Sequence, residues 1–208
     1  MINVLIADGH PIVLTGLRQV LSAERGIKIV GEARRAEELR RALGSCRPHV
    51  LVLDLDLPDG GFDVIGEALG LRAELKVVVF SALAEDVCAV RVLRAGAAAY
   101  LHKGAEPSEL VKAVRKVHGG GRYLTPSAAE ALADVLSGGS EGPHGSLTDR
   151  EFEVLRMLGA GKTVSQVARV LHLSVKTVST HRARVLRKLR LGNNAELMLY
   201  ALRNGLVV

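Results

Sequence analysis

Two periodicities divide this chain. Up to about residue 120, short apolar and β-branched runs alternate with longer stretches in which apolar residues recur every three or four positions. The runs are Ile2–Ala7, Ile27–Glu32, Val50–Asp54, Val77–Ser81 and Ala98–His102. Between the first two, Val13, Leu14, Leu17, Val20 and Leu21 mark one face of a helix. Continuously apolar strands interleaved with amphipathic helices predict a parallel sheet covered on both faces, an α/β domain of the flavodoxin-like (βα)5 kind. Right-handed crossovers then bring the C-terminal ends of all the strands to one edge.

Beyond residue 120 the alternation stops and only helical spacing remains. Pro126–Leu136 predicts one more helix, and the Gly- and Ser-rich stretch 137–146 has the composition of a flexible tether. Thr148-x-x-Glu151 has capping-box spacing, and Phe152, Leu155 and Leu158 follow on one helical face until Gly159-Ala160-Gly161. A second helix is expected over Val164–Leu171, and a third from an N-cap at Ser174 to about Arg190. The organisation read from this is a domain over 1–120, a linker helix and tether over 121–146, and an all-α domain over 147–208.

Charge separates the same two parts. Residues 147–208 carry eleven Lys or Arg against four Asp or Glu, whereas the residues before them carry seventeen against eighteen. A basic module behind a near-neutral one suits a polyanionic partner for the tail and another task for the front. With 48% apolar and 24% charged residues the chain can bury a sizeable core. The absence of a leader-like start and of a long uncharged apolar run predicts a cytoplasmic protein without a membrane partner. Cys46 and Cys88 have no C-x-x-C spacing and are expected to be packed thiols.

The predicted sheet edge collects chemistry. Strand one ends at Asp8, strand three at Asp54, strand four at Ser81, and strand five runs through Tyr100 into His102 and Lys103. Open α/β sheets bind ligands at this edge. Two carboxylates, a hydroxyl and an ammonium suit phosphoryl handling: carboxylates hold a divalent cation, one of them attacks phosphorus, and Ser and Lys bind the anionic oxygens. A lone Asp at a strand end is more often a turn former; a full set at successive strand ends is a stronger signal.

Asp54-Leu55-Asp56-Leu57-Pro58 with Asp59-Gly60-Gly61, then Ser81-Ala82, then Gly96-Ala97-Ala98-Ala99-Tyr100-Leu101-His102-Lys103, resembles the receiver domain of two-component response regulators over about the first 118 residues. The resemblance implies that Asp54 accepts a phosphoryl group from the phosphohistidine of a sensor histidine kinase. It implies Mg²⁺ held by Asp8, Asp54 and the backbone carbonyl of Asp56, phosphoryl oxygens bound by Ser81 and Lys103, and Tyr100 changing rotamer with Ser81. One position departs from the pattern. Receivers of this kind begin with an adjacent acidic pair before His-Pro, and here the stretch reads Asp8-Gly9-His10-Pro11. With Gly9 in place of a carboxylate, Mg²⁺ binding is expected to be weak.

The third helix of the basic part carries Lys176, Arg184, Arg187 and Lys188 around the apolar positions Val178, Val185 and Leu189. A short helix, a tight turn and a basic second helix predict a helix-turn-helix whose second helix enters a major groove; the plainer alternative is a solvated charged face. Leu147-Thr148-Asp149-Arg150-Glu151, Val167-Ala168-Arg169-Val170-Leu171, Leu173 to Arg182 and Lys188-Leu189 resemble the LuxR-type helix-turn-helix of the NarL/FixJ response regulators, from Leu147 to the end. By that resemblance Ser179, Thr180 and Ala183 face base edges, while Lys176, Thr177, Arg184 and Lys188 contact or approach phosphates of double-stranded DNA. Ala183 lacks the long polar group of other members, which implies light sequence readout. His181, between Val178 and Val185, is expected to pack inward.

The expected protein is a DNA-binding transcriptional regulator, not an enzyme, that acts as a homodimer at least on DNA. An alternative is an atypical regulator that works without phosphorylation, for which Gly9 is the evidence. A remote one is a haloacid-dehalogenase-type phosphatase, which shares Asp54-x-Asp56 but lacks the basic helix-turn-helix.

Overall fold

The computed structural model describes residues 1–137 and 144–207. Its first part alternates strand and helix: β1 (Ile2–Ala7), α1 (Pro11–Ser22), β2 (Ile27–Ala33), α2 (Ala36–Ser45), β3 (Val50–Leu53), α3 (Asp63–Leu71), β4 (Lys76–Ser81), α4 (Glu85–Arg94), β5 (Ala99–His102) and α5 (Pro107–His118). The five strands pair in parallel in the order β2-β1-β3-β4-β5, the flavodoxin-like doubly wound order.

Successive residues of each strand serve opposite faces of the sheet. Val4 and Ile6 pack with Val50, Val52 and Val78 against α1 and α5, through Leu14, Leu17, Leu21, Leu110 and Val114. Leu5 and Ala7 pack with Leu51, Leu53, Val77 and Val79 against α2, α3 and α4. Both faces are covered, which is why the central strand β3 is apolar throughout. The register places Ala7 opposite Leu53, so Asp8 and Asp54 leave the sheet side by side, and Ser81 stands opposite His102.

The helix α6 (Pro126–Leu136) starts at Thr125, whose hydroxyl accepts from the Ala128 amide and donates to Glu85. Tyr123 donates its N–H to the Ala98 carbonyl. The expected linker helix is thus anchored on the α/β domain beside α4. Most of the expected tether, 138–143, lies outside the described residues.

The C-terminal part holds α7 (Asp149–Gly159), α8 (Val164–Val170), α9 (Val175–Leu189) and α10 (Asn194–Arg203). Its starts are written in the sequence. Thr148 with Glu151 and Thr163 with Gln166 form capping boxes, and Ser174 caps α9 through the Thr177 amide. Sequence reading stopped short of α10, although Asn193 accepts from the Glu196 amide in the usual capping manner. His172 in the tight turn before α9 and Arg190 at its end both adopt left-handed backbone, with φ of 52° and 56°.

The two parts are not separate bodies on a tether. The core on the α2, α3 and α4 side continues into that of α7 to α10, with Phe62 and Phe152 in edge contact at 5.8 Å between ring centroids. This seam joins the two domains across the chain. Its residues carry no periodic signal, because each belongs to an element whose pattern is already accounted for by its own domain.

Candidate functional site

The strand ends gather as expected. Asp8, Asp54 and Ser81 are all buried. The Lys103 ammonium lies 2.7 Å from Asp8 Oδ2 and 2.9 Å from Asp54 Oδ2. The ammonium thus pairs with both carboxylates, whose Oδ2 atoms are buried. The Asp56 amide donates to Asp54 Oδ1 at 3.3 Å. The other Asp8 oxygen accepts the His10 amide at 2.8 Å, and the His10 ring Nδ1 stands 3.0 Å from it.

Burial raises the pKa of Asp54 against the pull of Lys103, and the neighbouring Asp8 adds to the rise. Burial also works against the Lys103 charge, but Asp8 and Asp54 outweigh it and its pKa is raised. The ammonium is therefore a fixed cation between two carboxylates. The arrangement offers a buried carboxylate nucleophile, a permanent positive charge beside it, and oxygens turned toward a common point.

Lys103 contacts Asp54, and Tyr100 is wholly buried with its hydroxyl donating 2.6 Å to the Leu83 carbonyl; burial pushes that phenol far up. Ser81 Oγ accepts the Leu83 amide at 3.3 Å. Tyr100 and Lys103 both lie inward in this structure, Tyr100 against Leu83 and Lys103 against Asp8 and Asp54.

The loop after Asp54 is tied to α7 instead. Arg156 holds the Asp56 carboxylate at 2.8 and 3.1 Å. Glu153, only 4% exposed, accepts the Phe62 amide at 2.9 Å. Arg150 bridges Glu153 and Asp63 at 2.8 and 2.7 Å, and Arg91 reaches Asp149 at 2.6 Å. Burial raises the Glu153 pKa, opposed by the Phe62 amide and Arg150. Gly61 makes the Glu153 contact feasible, because a Cβ there would stand 1.9 Å from Glu153 Oε1. A cleft of about 510 Å³ remains between loop and helix, with His10, Pro58, Arg156 and Lys162 among its walls. Sequence reading missed Arg156, Glu153 and Gly61; charged positions on the polar side of an amphipathic helix are ordinarily solvated, and only the docked domain says otherwise.

Gly9 has its own geometry. A Cβ built on it would meet the Pro58 ring at 2.8 and 3.2 Å. The place of the second acid is thus taken up by the loop. The residues fit a divalent cation held by two carboxylates, with Asp8, His10 and Asp54 each offering one ligand atom within 4.8 Å of one another.

On the basic domain, Lys176, Ser179, Thr180, Ala183 and Arg184 share the exposed face of α9, with Thr177 half-buried at its first turn. Val178 and Val185 are buried beneath. Thr180 donates to the Lys176 carbonyl at 3.0 Å and Thr177 shares a hydrogen bond with Ser174. Lys188 is placed differently from the rest: its ammonium lies 2.6 Å from Glu151 and donates to the Ser146 carbonyl. Burial acts to raise the Glu151 pKa, but Lys188 and the capped Thr148 amide lower it. His181 is half-buried with Nδ1 unpartnered, and burial, with Arg184 nearby, lowers its pKa.

Comparison with known proteins agrees with this architecture. Residues 4–115 match the family described as response regulator receiver domain, and residues 145–201 the bacterial regulatory proteins of the luxR family. The response regulator UvrY of Escherichia coli K12 is 36% identical over 99% of this chain and 96% of its own. The response regulator GacA of Pseudomonas protegens is 36% identical over 100% of this chain and 98% of its own. Among solved structures, RcsB of Salmonella typhimurium superposes with a TM-score of 0.83 at 28% identity, covering 98% of each chain. RcsB of Salmonella enterica serovar Typhimurium bound to promoter rprA, in the presence of the phosphomimetic BeF3⁻, gives 0.77 at 28% identity over 96% of this chain and 97% of that one.

Proposed function

This chain belongs to the two-component response regulators with a C-terminal LuxR-type DNA-binding domain, and on that premise we propose that Asp54 accepts a phosphoryl group from a sensor histidine kinase and thereby frees the DNA-binding domain from the receiver, to bind double-stranded DNA as a dimer. The observation that carries the proposal is the Asp54 carboxylate, buried at its strand end with Oδ2 2.9 Å from the Lys103 ammonium. That oxygen attacks phosphorus and the bond from phosphorus to the kinase imidazole nitrogen breaks, leaving the donor histidine neutral after it takes up a proton. Lys103 and the Ser81 hydroxyl receive the phosphoryl oxygens, which need charge and donors in a buried site. A divalent cation held by the Asp8 and Asp54 carboxylates and the Asp56 carbonyl supplies further charge neutralisation when bound.

The loop that follows Asp54 packs its Pro58 ring against Gly9, and a phosphoryl group on Asp54 is taken to displace that loop. That loop holds α7 through Asp56 and the Phe62 amide. Its displacement therefore loosens the seam, and the equilibrium shifts toward the form in which the DNA-binding domain is free to pair with a second copy. Two α9 helices on two half-sites gain affinity by linkage.

A second reading, control without phosphorylation, is favoured by one observation, the closed space at Gly9. Intact-mass measurement after acetyl phosphate treatment separates the two. A cation-dependent phosphoryl adduct that is lost in Asp54→Asn supports the first; a folded, DNA-binding protein that takes up no phosphoryl group under any divalent cation supports the second.

A further inference from the structure

We propose that Arg187 reads a guanine in the major groove, so that sequence selection by this protein depends on an arginine near the far end of α9 as well as on the first turns of that helix. The proposal rests on the DNA-binding reading and is independent of phosphorylation at Asp54.

Three observations lead there. The first is the place of Arg187 on the helix. At about 100° per residue it lies about 180° from Val178 and about 160° from Val185, the two fully buried residues of α9. Arg187 is therefore at the centre of the exposed face, in one column with Lys176, Thr180 and Ala183, which are exposed as well. Arg184 lies about 60° round from it, on a flank. When a helix lies in a major groove, the centre of its exposed face meets base edges and its flanks meet the phosphates of the groove walls.

The second is what the rest of that column lacks. Ala183 ends in a methyl group, and Thr180 has given its hydroxyl proton to the Lys176 carbonyl at 3.0 Å. The middle of the column thus presents methyl groups and no donor. A long side chain on a helix leans toward the N-terminus and covers the turn before its own. Arg187 accordingly reaches over Ala183, whose small size leaves the room, and brings its donors to the stretch that has none.

The third is that Arg187 is free. Arg182 donates to Asn194, and Lys188 is held by Glu151 and the Ser146 carbonyl. The Arg187 guanidinium has no ion pair or hydrogen bond among the described residues. Its planar fork matches the O6 and N7 acceptors of guanine with two parallel N–H bonds, whereas adenine sets a donor at one of those two places.

The test starts from duplexes that the full chain selects out of a randomised pool, which are expected to share a guanine in each half-site. Replacing that guanine by 7-deazaguanine removes the N7 acceptor and leaves base pairing intact, and the native protein is expected to lose about tenfold in affinity. Arg187→Ala should lose about tenfold on the selected duplex, stay within about threefold on random duplex, and be indifferent to 7-deazaguanine. Arg187→Lys keeps the charge without the fork, so it should match the native protein on random duplex and fail to recover the selected one. Equal weakening of selected and random duplex by Arg187→Ala, with a salt slope lower by about 1 and full recovery in Arg187→Lys, would make Arg187 a phosphate contact and overturn the proposal. So would an Arg187→Ala protein that binds both duplexes as the native one does, selected duplexes without a shared guanine, or a native protein indifferent to 7-deazaguanine. A native protein that enriches no duplex from the pool would remove the DNA-binding reading itself, and that result is distinct from each of the others.

Discussion

The pocket at the sheet edge and the outer face of α9 are both charged, and they use charge in opposite ways. In the pocket, Asp8 and Asp54 are buried and Lys103 is their shared counter-ion. On α9, Lys176 and Arg184 stand in solvent above a buried apolar stripe. Buried charges depend on one another, so removing one strands the rest. Exposed charges act nearly independently and through water and salt. The pocket should therefore respond to substitution in large coupled steps, and the helix face in small additive ones.

The largest effect is expected from Lys103→Ala, which leaves two buried carboxylates facing each other. Urea unfolding at neutral pH should show a loss of roughly 3–5 kcal/mol. The loss should shrink on acidification. Asp54 has a raised pKa in the folded state, so the folded form binds its proton more readily, and the repulsion fades as pH falls through that value. A pH-independent change of under about 0.5 kcal/mol would show that the pocket behaves like the surface.

The seam comes next. Glu153→Ala strips the Phe62 amide of its acceptor and Arg150 of one partner, a change worth about 1–3 kcal/mol to the docked form. Gly61→Ala should open the same contact by collision. Hydrogen exchange at Phe62 and in α7 should rise in both variants, with the receiver sheet unchanged. Acid should act the other way. The docked form raises the Glu153 pKa above 4.5 while Arg150 and Asp63 face it, so docking gains stability that is fully present below the ordinary value and lost as pH rises through the raised one. Small-angle scattering across that window should show opening as pH rises, and Glu153→Gln should flatten the response.

The smallest effects belong to α9. Arg184→Ala and Lys176→Ala should each leave stability within about 0.5 kcal/mol and lower the salt slope of DNA binding by about 1. Thr180→Ala should alter sequence preference instead. Lys188→Ala breaks the tidy division. Its ammonium is held by Glu151 at 2.6 Å, so it should cost stability through the α7 capping box as well as affinity for DNA.

Most of this contrast was readable in the sequence, for physical reasons. Asp8, Asp54, Ser81 and Lys103 could be placed because strand periodicity and crossover handedness fix where strand ends meet. The α7 and α9 starts could be placed because Thr148 and Ser174 cap locally. What was not readable depends on surfaces meeting across the chain. Glu153 looks solvated in its helix and is buried only because Gly61 and Phe62 arrive from elsewhere. The already inward Tyr100 was likewise hidden, since a rotamer is set by packing and not by spacing. Position 9 was half readable: the missing acid was visible, but not the proline ring filling its place.

The ion pair between Arg156 and Asp56 has a thermodynamic corollary. If phosphorylation of Asp54 weakens docking and so strengthens DNA binding, the same coupling free energy must run backwards, and DNA must raise the occupancy of the phosphorylated state by an equal factor. On the proposed mechanism, a promoter that captures α9 would hold Arg156 away from Asp56, two residues beyond Asp54. The operator is then an effector of the receiver, and a regulator bound to its target should hold its phosphoryl group differently from one free in solution.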